Sequence, residues 1–127
     1  MSLSRSIFTA TVMATAVGLA GCSPSPESTV EKFYKALSKG ELTEAVGYVS
    51  AQVVSMVGQQ KLTMGLSKAS EQMQACGGLK SVKTDLTGQG EIRTGMALIE
   101  FKGDCKPSSE KVKLLKEDGQ WKLGADK

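Results

Sequence analysis

Histidine is absent from this chain of 127 residues, and that absence removes more chemistry than any motif adds. No side chain here titrates near neutrality in its unperturbed state, and no serine has an imidazole to activate it. An excess of one charge is also missing. The 16 basic and 13 acidic side chains nearly balance, which argues against nucleic acid or a polybasic membrane patch. Three cysteines without histidine supply too few soft ligands for a metal site, so neither metal nor cofactor is expected. Long apolar runs are lacking too. The uncharged stretch from Ser6 to Gly21 is shorter than the roughly 20 residues that span a bilayer, and no later stretch approaches it.

Against these absences stands Leu19-Ala20-Gly21-Cys22, which ends an apolar run that begins at Ile7 and follows a short basic start at the amino terminus and Arg5. That layout is an export signal. With a cysteine at the cleavage point it resembles a bacterial lipoprotein signal, whose pattern is Leu-Ala/Ser-Gly/Ala-Cys. The resemblance implies cleavage before Cys22, a diacylglycerol on its sulfur and an acyl chain such as palmitate on its new amino group. Two or more chains anchor durably, so the bilayer is an expected partner through Cys22. In the enterobacterial version of the family an aspartate after the cysteine retains the protein in the inner membrane. Ser23 stands there instead, which points to the outer membrane with the domain facing the periplasm. Loss of residues 1–21 leaves 106, enough for one small domain.

Cys76 and Cys105 then remain as a pair in an oxidising compartment, 29 positions apart, and a disulfide is expected. Two separate buried thiols are the alternative.

Ser23-Pro24-Ser25-Pro26 reads as a tether, so residues 22–27 are expected to link the lipid to a single α+β domain over 28–127. Ser28 and Glu31 have the spacing of a capping box. Val30, Phe33, Tyr34 and Leu37 form the stripe of a first helix, stopped by Gly40. Leu42, Ala45, Val46 and Val49 make a second stripe. Residues 50–58, with Val53, Val54 and Val57, suit a helix or a strand. Leu62, Leu66, Ala69, Met73 and Cys76 predict a third helix, ended by Gly77-Gly78. The period then changes to two. Val82, Thr84 and Leu86 alternate in a half-buried strand. Ile92 to Lys102, apolar on both faces between Met96 and Ile99, predicts a central strand covered on two sides. Asp118-Gly119 predicts a hairpin between Glu110–Lys116 and Gln120–Gly124. It should set Lys116 against Trp121 and Leu114 against Leu123. Helices followed by antiparallel strands predict an α+β fold, N-terminal helices packed on a curved antiparallel sheet.

Ser28-Thr29-Val30-Glu31-Lys32-Phe33-Tyr34-Lys35-Ala36-Leu37, with Gly40 and Ala45, opens the domain. Leu115-Lys116-Glu117-Asp118-Gly119-Gln120-Trp121-Lys122-Leu123 closes it. Both ends resemble small bacterial lipoproteins whose periplasmic domain has the cone-shaped, nuclear-transport-factor-two-like fold. The resemblance implies that fold. It implies little about activity, because the cone hosts isomerases, dehydratases, transport factors and plain binding modules.

Enzymes on this cone place a carboxylate, histidine or tyrosine inside it. Tyr34 and Tyr48 are the candidate donors, and Asp85 and Glu100 the candidate bases. Tyr34 lies on a core stripe, while both carboxylates read as solvated. Phe33, Tyr34 and Trp121 are candidates for pocket or core. Met64 and Met73 are expected in the core, with Met96 a candidate for an adaptable surface. Lys111, Lys113 and Lys122 share the face opposite Trp121 and could meet an acidic periplasmic protein or anionic headgroups. They also disfavour a symmetric dimer through that face, and the oligomeric state stays open. The function expected is a lipid-anchored, non-catalytic binding module for a protein partner or a small apolar ligand, one version being immunity to a periplasmic toxin. The alternative is a cone-fold enzyme, isomerase or hydrolase, acting on a small apolar substrate.

Overall fold

Pro26 opens the first helix. Proline fits the first turn because its missing N–H is one that no helical partner would satisfy. In the computed structural model, which describes residues 25–125, helix α1 spans Pro26–Ser38. Ser25 is its cap and accepts from the Ser28 N–H at 3.1 Å. The capping box expected at Ser28 and Glu31 does not form: the cap lies three residues earlier, at Ser25, and Glu31 pairs with Lys35 at 2.9 Å. Of the tether predicted over 22–27, Ser25, Pro26 and Glu27 belong to this helix start, while Cys22 to Pro24 lie outside the described residues, as does the signal segment. Three further helices follow: α2 Leu42–Gly47, α3 Ala51–Val57 and α4 Gln59–Ala75. The valines at 53, 54 and 57 thus sit on a helix, capped by Ser50, which accepts from the Val53 N–H at 3.2 Å. Val49 leaves the second stripe and bridges Leu123 instead. Gly77 and Gly78 end α4 with φ of 85° and 88°.

Strands β1 Leu79–Thr87, β2 Ile92–Phe101, β3 Ser108–Glu117 and β4 Gln120–Leu123 form one antiparallel sheet in the order β1-β2-β3-β4. The Asp118-Gly119 hairpin pairs Lys116 with Trp121 and Leu114 with Leu123, as the turn chemistry predicts, and both turn residues have positive φ (49° and 77°).

The sheet's inner face carries Val82, Ala97, Ile99, Val112, Leu114 and Leu123 toward the helices, chiefly α1. One core group joins Val30 of α1 to Ala97, Val112 and Leu114. The other joins Phe33, Ala36 and Leu37 of α1 to Ala45 of α2 and Met73 of α4. Each fully buried leucine or valine stabilises this packing by about 1.5–3 kcal/mol. The buried Ser70 Oγ donates to the Leu37 carbonyl at 2.6 Å, and the half-buried Ser38 Oγ accepts from the Leu79 N–H at 2.9 Å, tying α1 to β1.

Two expectations fail here. Strand β2 is central but covered on one face only, for Met96 and Leu98 are 39% and 36% exposed on the outer face. Alternation counted both faces as apolar, but the helices lie on only one. Met64 is 58% exposed on α4 rather than buried; Met73 is in the core as expected.

Cys76 and Cys105 form a disulfide, with Cα atoms 5.4 Å apart. It joins the end of α4 to the β2–β3 loop. A close backbone approach beside it has no room for side chains: a Cβ on Gly103 would lie 2.6 Å from the Cys76 carbonyl oxygen. The Gly103 N–H donates to that same oxygen at 2.8 Å.

Candidate functional site

Helix α4 stands off the sheet at the end where β2 and β3 meet, leaving a cavity of about 420 Å³. Its walls are Phe33 and Leu37 from α1, Leu66, Ala69 and Met73 from α4, and Ile99 and Phe101 from β2. The disulfide closes one side. The mouth is polar, with Tyr34, Lys106, Ser108 and Glu110 around it. Apolar walls with a few convergent polar groups are the usual make-up of a ligand site. A larger concavity of about 530 Å³ runs beside β1, but Lys35, Lys39, Lys80 and Lys102 line it. Its surface lysines are solvated, so the smaller apolar cavity is the stronger candidate.

Tyr34 stands in the cavity with its ring edge-on to Phe33, centroids 5.2 Å apart. Burial, then the Glu110 carboxylate beside it, pushes its pKa up to about 12. The phenol therefore stays protonated at neutral pH. Its folded pKa exceeds the ordinary tyrosine value of about 10. Its contribution to stability is thus fully present below pH 10 and is lost as pH rises toward 12, by about 2–3 kcal/mol at most. Alkaline unfolding curves should show this loss in the natural chain and lack it in Tyr34→Phe. Equal slopes for the two would refute the burial of the phenol.

Ser108 Oγ donates to Glu110 Oε1 at 2.9 Å in the mouth. Sequence reasoning missed both residues. They are two apart on one strand, a spacing that in an inward-facing strand end puts both side chains on one face, but nothing local showed that this end borders a cavity.

The other candidates fall elsewhere. Phe33 is both core and cavity wall. Trp121 lies outside the main cavity, packed on the Val30–Leu114 group, with Arg93 Cζ 5.1 Å and Lys116 Nζ 5.8 Å from its ring centre. It also lines a small hollow of about 170 Å³ with Thr29, Lys32 and Tyr48. Tyr48 donates to Glu44 Oε1 at 3.3 Å, and burial followed by that carboxylate raises its pKa. Asp85 is exposed on the outer face. Glu100 is half-buried there, accepting from Ser81 Oγ at 3.3 Å and facing Lys83 Nζ at 3.5 Å, so it is paired rather than simply solvated. Lys111 and Lys113 stand together on the outer face, whereas the Lys122 amine turns to the Gly47 carbonyl. No group of three or more acidic or cysteine side chains converges among the described residues. No helix among them is long and apolar enough to cross a membrane.

No protein-family model matches the sequence, and no curated protein matches it. Among solved structures, the chain is similar to a Campylobacter jejuni protein provisionally named an NTF2-like transpeptidase, with a TM-score of 0.70. The two are 20% identical over 80% of this chain and 99% of that one. At that identity the likeness establishes architecture: helices on a curled four-stranded sheet, the nuclear-transport-factor-two-like cone.

Proposed function

We propose, from the premise of that fold, that the protein is a lipid-anchored binding module of the bacterial envelope, holding a small apolar ligand or a partner's apolar side chain in the cavity between α1, α4 and the sheet. The observation that carries this reading is the cavity itself, apolar inside and edged by the Tyr34 ring and the polar groups of its mouth. Cys22 acylation would place the domain at the periplasmic face of the outer membrane. Lys111 and Lys113, beside the exposed Met96 and Leu98, are the surface on which a protein partner would sit.

The cavity is tested with the fluorescent apolar probe anilinonaphthalene sulfonate. Ala69→Trp, which fills the space from α4, should weaken binding by about tenfold, a loss of roughly 1.4 kcal/mol, with little change in melting temperature. Equal binding by both proteins would defeat the reading. For the anchor, a palmitate analogue fed to cells should label the natural chain and not Cys22→Ala. Labelling of both, or of neither, would remove the lipid from the proposal.

One observation favours a second reading, acyl transfer, which the name of the Campylobacter protein also suggests. The Ser108 hydroxyl donates to a carboxylate at the cavity mouth, the arrangement of a nucleophile and its proton acceptor. Stoichiometric labelling of Ser108 by a fluorophosphonate would favour that reading over simple binding.

A further inference from the structure

The two ends of helix α1 meet opposite ends of the sheet. Val30, near its start, packs on Ala97, Val112 and Leu114, while Ser38 at its other end accepts from the Leu79 N–H, opposite Phe101. The start of α1 therefore lies at the end of the domain that carries the β1–β2 turn at 88–91 and the Asp118-Gly119 turn. Thr29, whose N–H bonds the Ser25 carbonyl at 3.1 Å, shares a hollow there with Lys32, Gln120 and Trp121. Trp121 is half-buried, with Arg93 and Lys116 against its ring. The cavity mouth lies toward the opposite end, where the β2–β3 loop carries Cys105 and Lys106. Strand β2, with ten residues, separates the two ends by about 30 Å.

We propose that the end bearing Trp121 lies against the bilayer that holds the chain, and that the cavity mouth is turned away from it, into the periplasm. This placement rests on the acylation of Cys22 proposed above. Three residues lead from Cys22 to Ser25, and such a link reaches about 10–11 Å at most. That is far shorter than β2, so acyl chains on Cys22 keep the start of α1 at the headgroups. The side chains at that end suit the contact. A tryptophan, with an apolar body and a polar N–H, settles where one side is apolar and the other wet. Arginine and lysine stems lie along apolar surface while their charges reach phosphate. Glu27, Glu91 and Asp118 are exposed at the same end. Beside Lys32, Arg93 and Lys116 they match a zwitterionic headgroup, which carries an ammonium as well as a phosphate. A ligand or partner of the cavity then arrives from the aqueous side and is not a lipid of the anchoring membrane.

Trp121 is the single tryptophan of the chain, which makes its distance from a bilayer measurable. The acylated natural chain is placed in vesicles of phosphatidylethanolamine and phosphatidylglycerol that contain dansyl-labelled phosphatidylethanolamine. The comparison protein moves the tryptophan to the far loop by Trp121→Phe with Asp104→Trp. Phenylalanine keeps an aromatic ring on Val30 and Leu114, and Asp104 is exposed. Energy transfer to dansyl should be about threefold more efficient from Trp121, given a separation of about 30 Å between the ends. A Gly-Ser insertion of about twelve residues between Ser23 and Pro24 adds roughly 20 Å of average reach and should lower transfer from Trp121 by about half. Equal transfer from the two positions overturns the placement, as does a Trp121 signal that the insertion leaves unchanged. A natural chain that fails to float with the vesicles, as Cys22→Ala should, refutes the anchor and takes the placement with it. A chain that floats and shows equal transfer refutes the placement alone.

Discussion

Replacing Cys76 and Cys105 together by serine is expected to lower stability by about 3 kcal/mol, and the melting temperature by roughly 12–24 °C. The bond closes a loop of 29 positions that contains β1 and the central strand β2, which supplies Ala97 and Ile99 to the core. In the chain-entropy account, restricting so long a loop in the unfolded chain is worth about 3.5 kcal/mol. For a domain whose whole stability is of order 5–15 kcal/mol, that is a large share. The bond also has a local task. It fixes the β2–β3 loop, and so the side of the cavity that carries Lys106 and Ser108. The double variant should therefore lose probe binding at temperatures where it is still folded. Thermal unfolding followed by circular dichroism, with the probe titration at 10 °C below the midpoint, separates the two effects. A fall of only a few degrees would mean that the Gly103–Cys76 and Lys102–Gly78 backbone bonds hold the loop unaided.

What could be read before folding was the chemistry that acts within a few residues. The Asp118-Gly119 turn fixed its own register, because only residues that accept positive φ close a two-residue hairpin with the twist of its strands. The α1 stripe was legible for the same reason, since four apolar side chains at helical spacing can only face one way. Ser25-Pro26 misled, because a proline that ends a tether and one that begins a helix look alike until the next turn is seen to form. The cavity was not legible. Its mouth brings Tyr34 to Glu110 across the whole domain, and its volume depends on how far α4 stands from β2 and β3. That distance depends on long-range packing, with Phe33 and Met73 in one core group and Ile99 across the cavity from them, not on any local pattern. The outer face shows the same limit: Met96 and Leu98 alternate with Ala97 and Ile99 as a doubly covered strand would, and only the number of layers decides which pair is exposed.

The largest effect of a single methyl group is expected at Gly95 on β2. A Cβ there would lie 1.9 Å from the Asp85 carbonyl oxygen, 2.9 Å from its carbon and 3.0 Å from Leu86 Cα. All three are backbone atoms of β1, the strand it pairs with, so no rotamer change relieves the clash. Strands β1 and β2 would have to part where the sheet curls over the core, losing ladder bonds on both sides of Leu86. Overpacking usually costs about 1–3 kcal/mol, and backbone against backbone belongs at the top of that range or above it. Gly95→Ala should therefore destabilise by about 3 kcal/mol or more in urea titration, comparable to losing the disulfide. Gly65→Ala is the matched control. It lies inside α4 with nothing within 4 Å of the added atom, and should gain roughly 0.5–1 kcal/mol from helix propensity alone. A Gly95→Ala midpoint equal to that of the natural chain would show that the curl is not held by this contact. The narrow inner face would then owe its shape to Ala97 and Val30 packing, and Ala97→Val would be the position to fail instead.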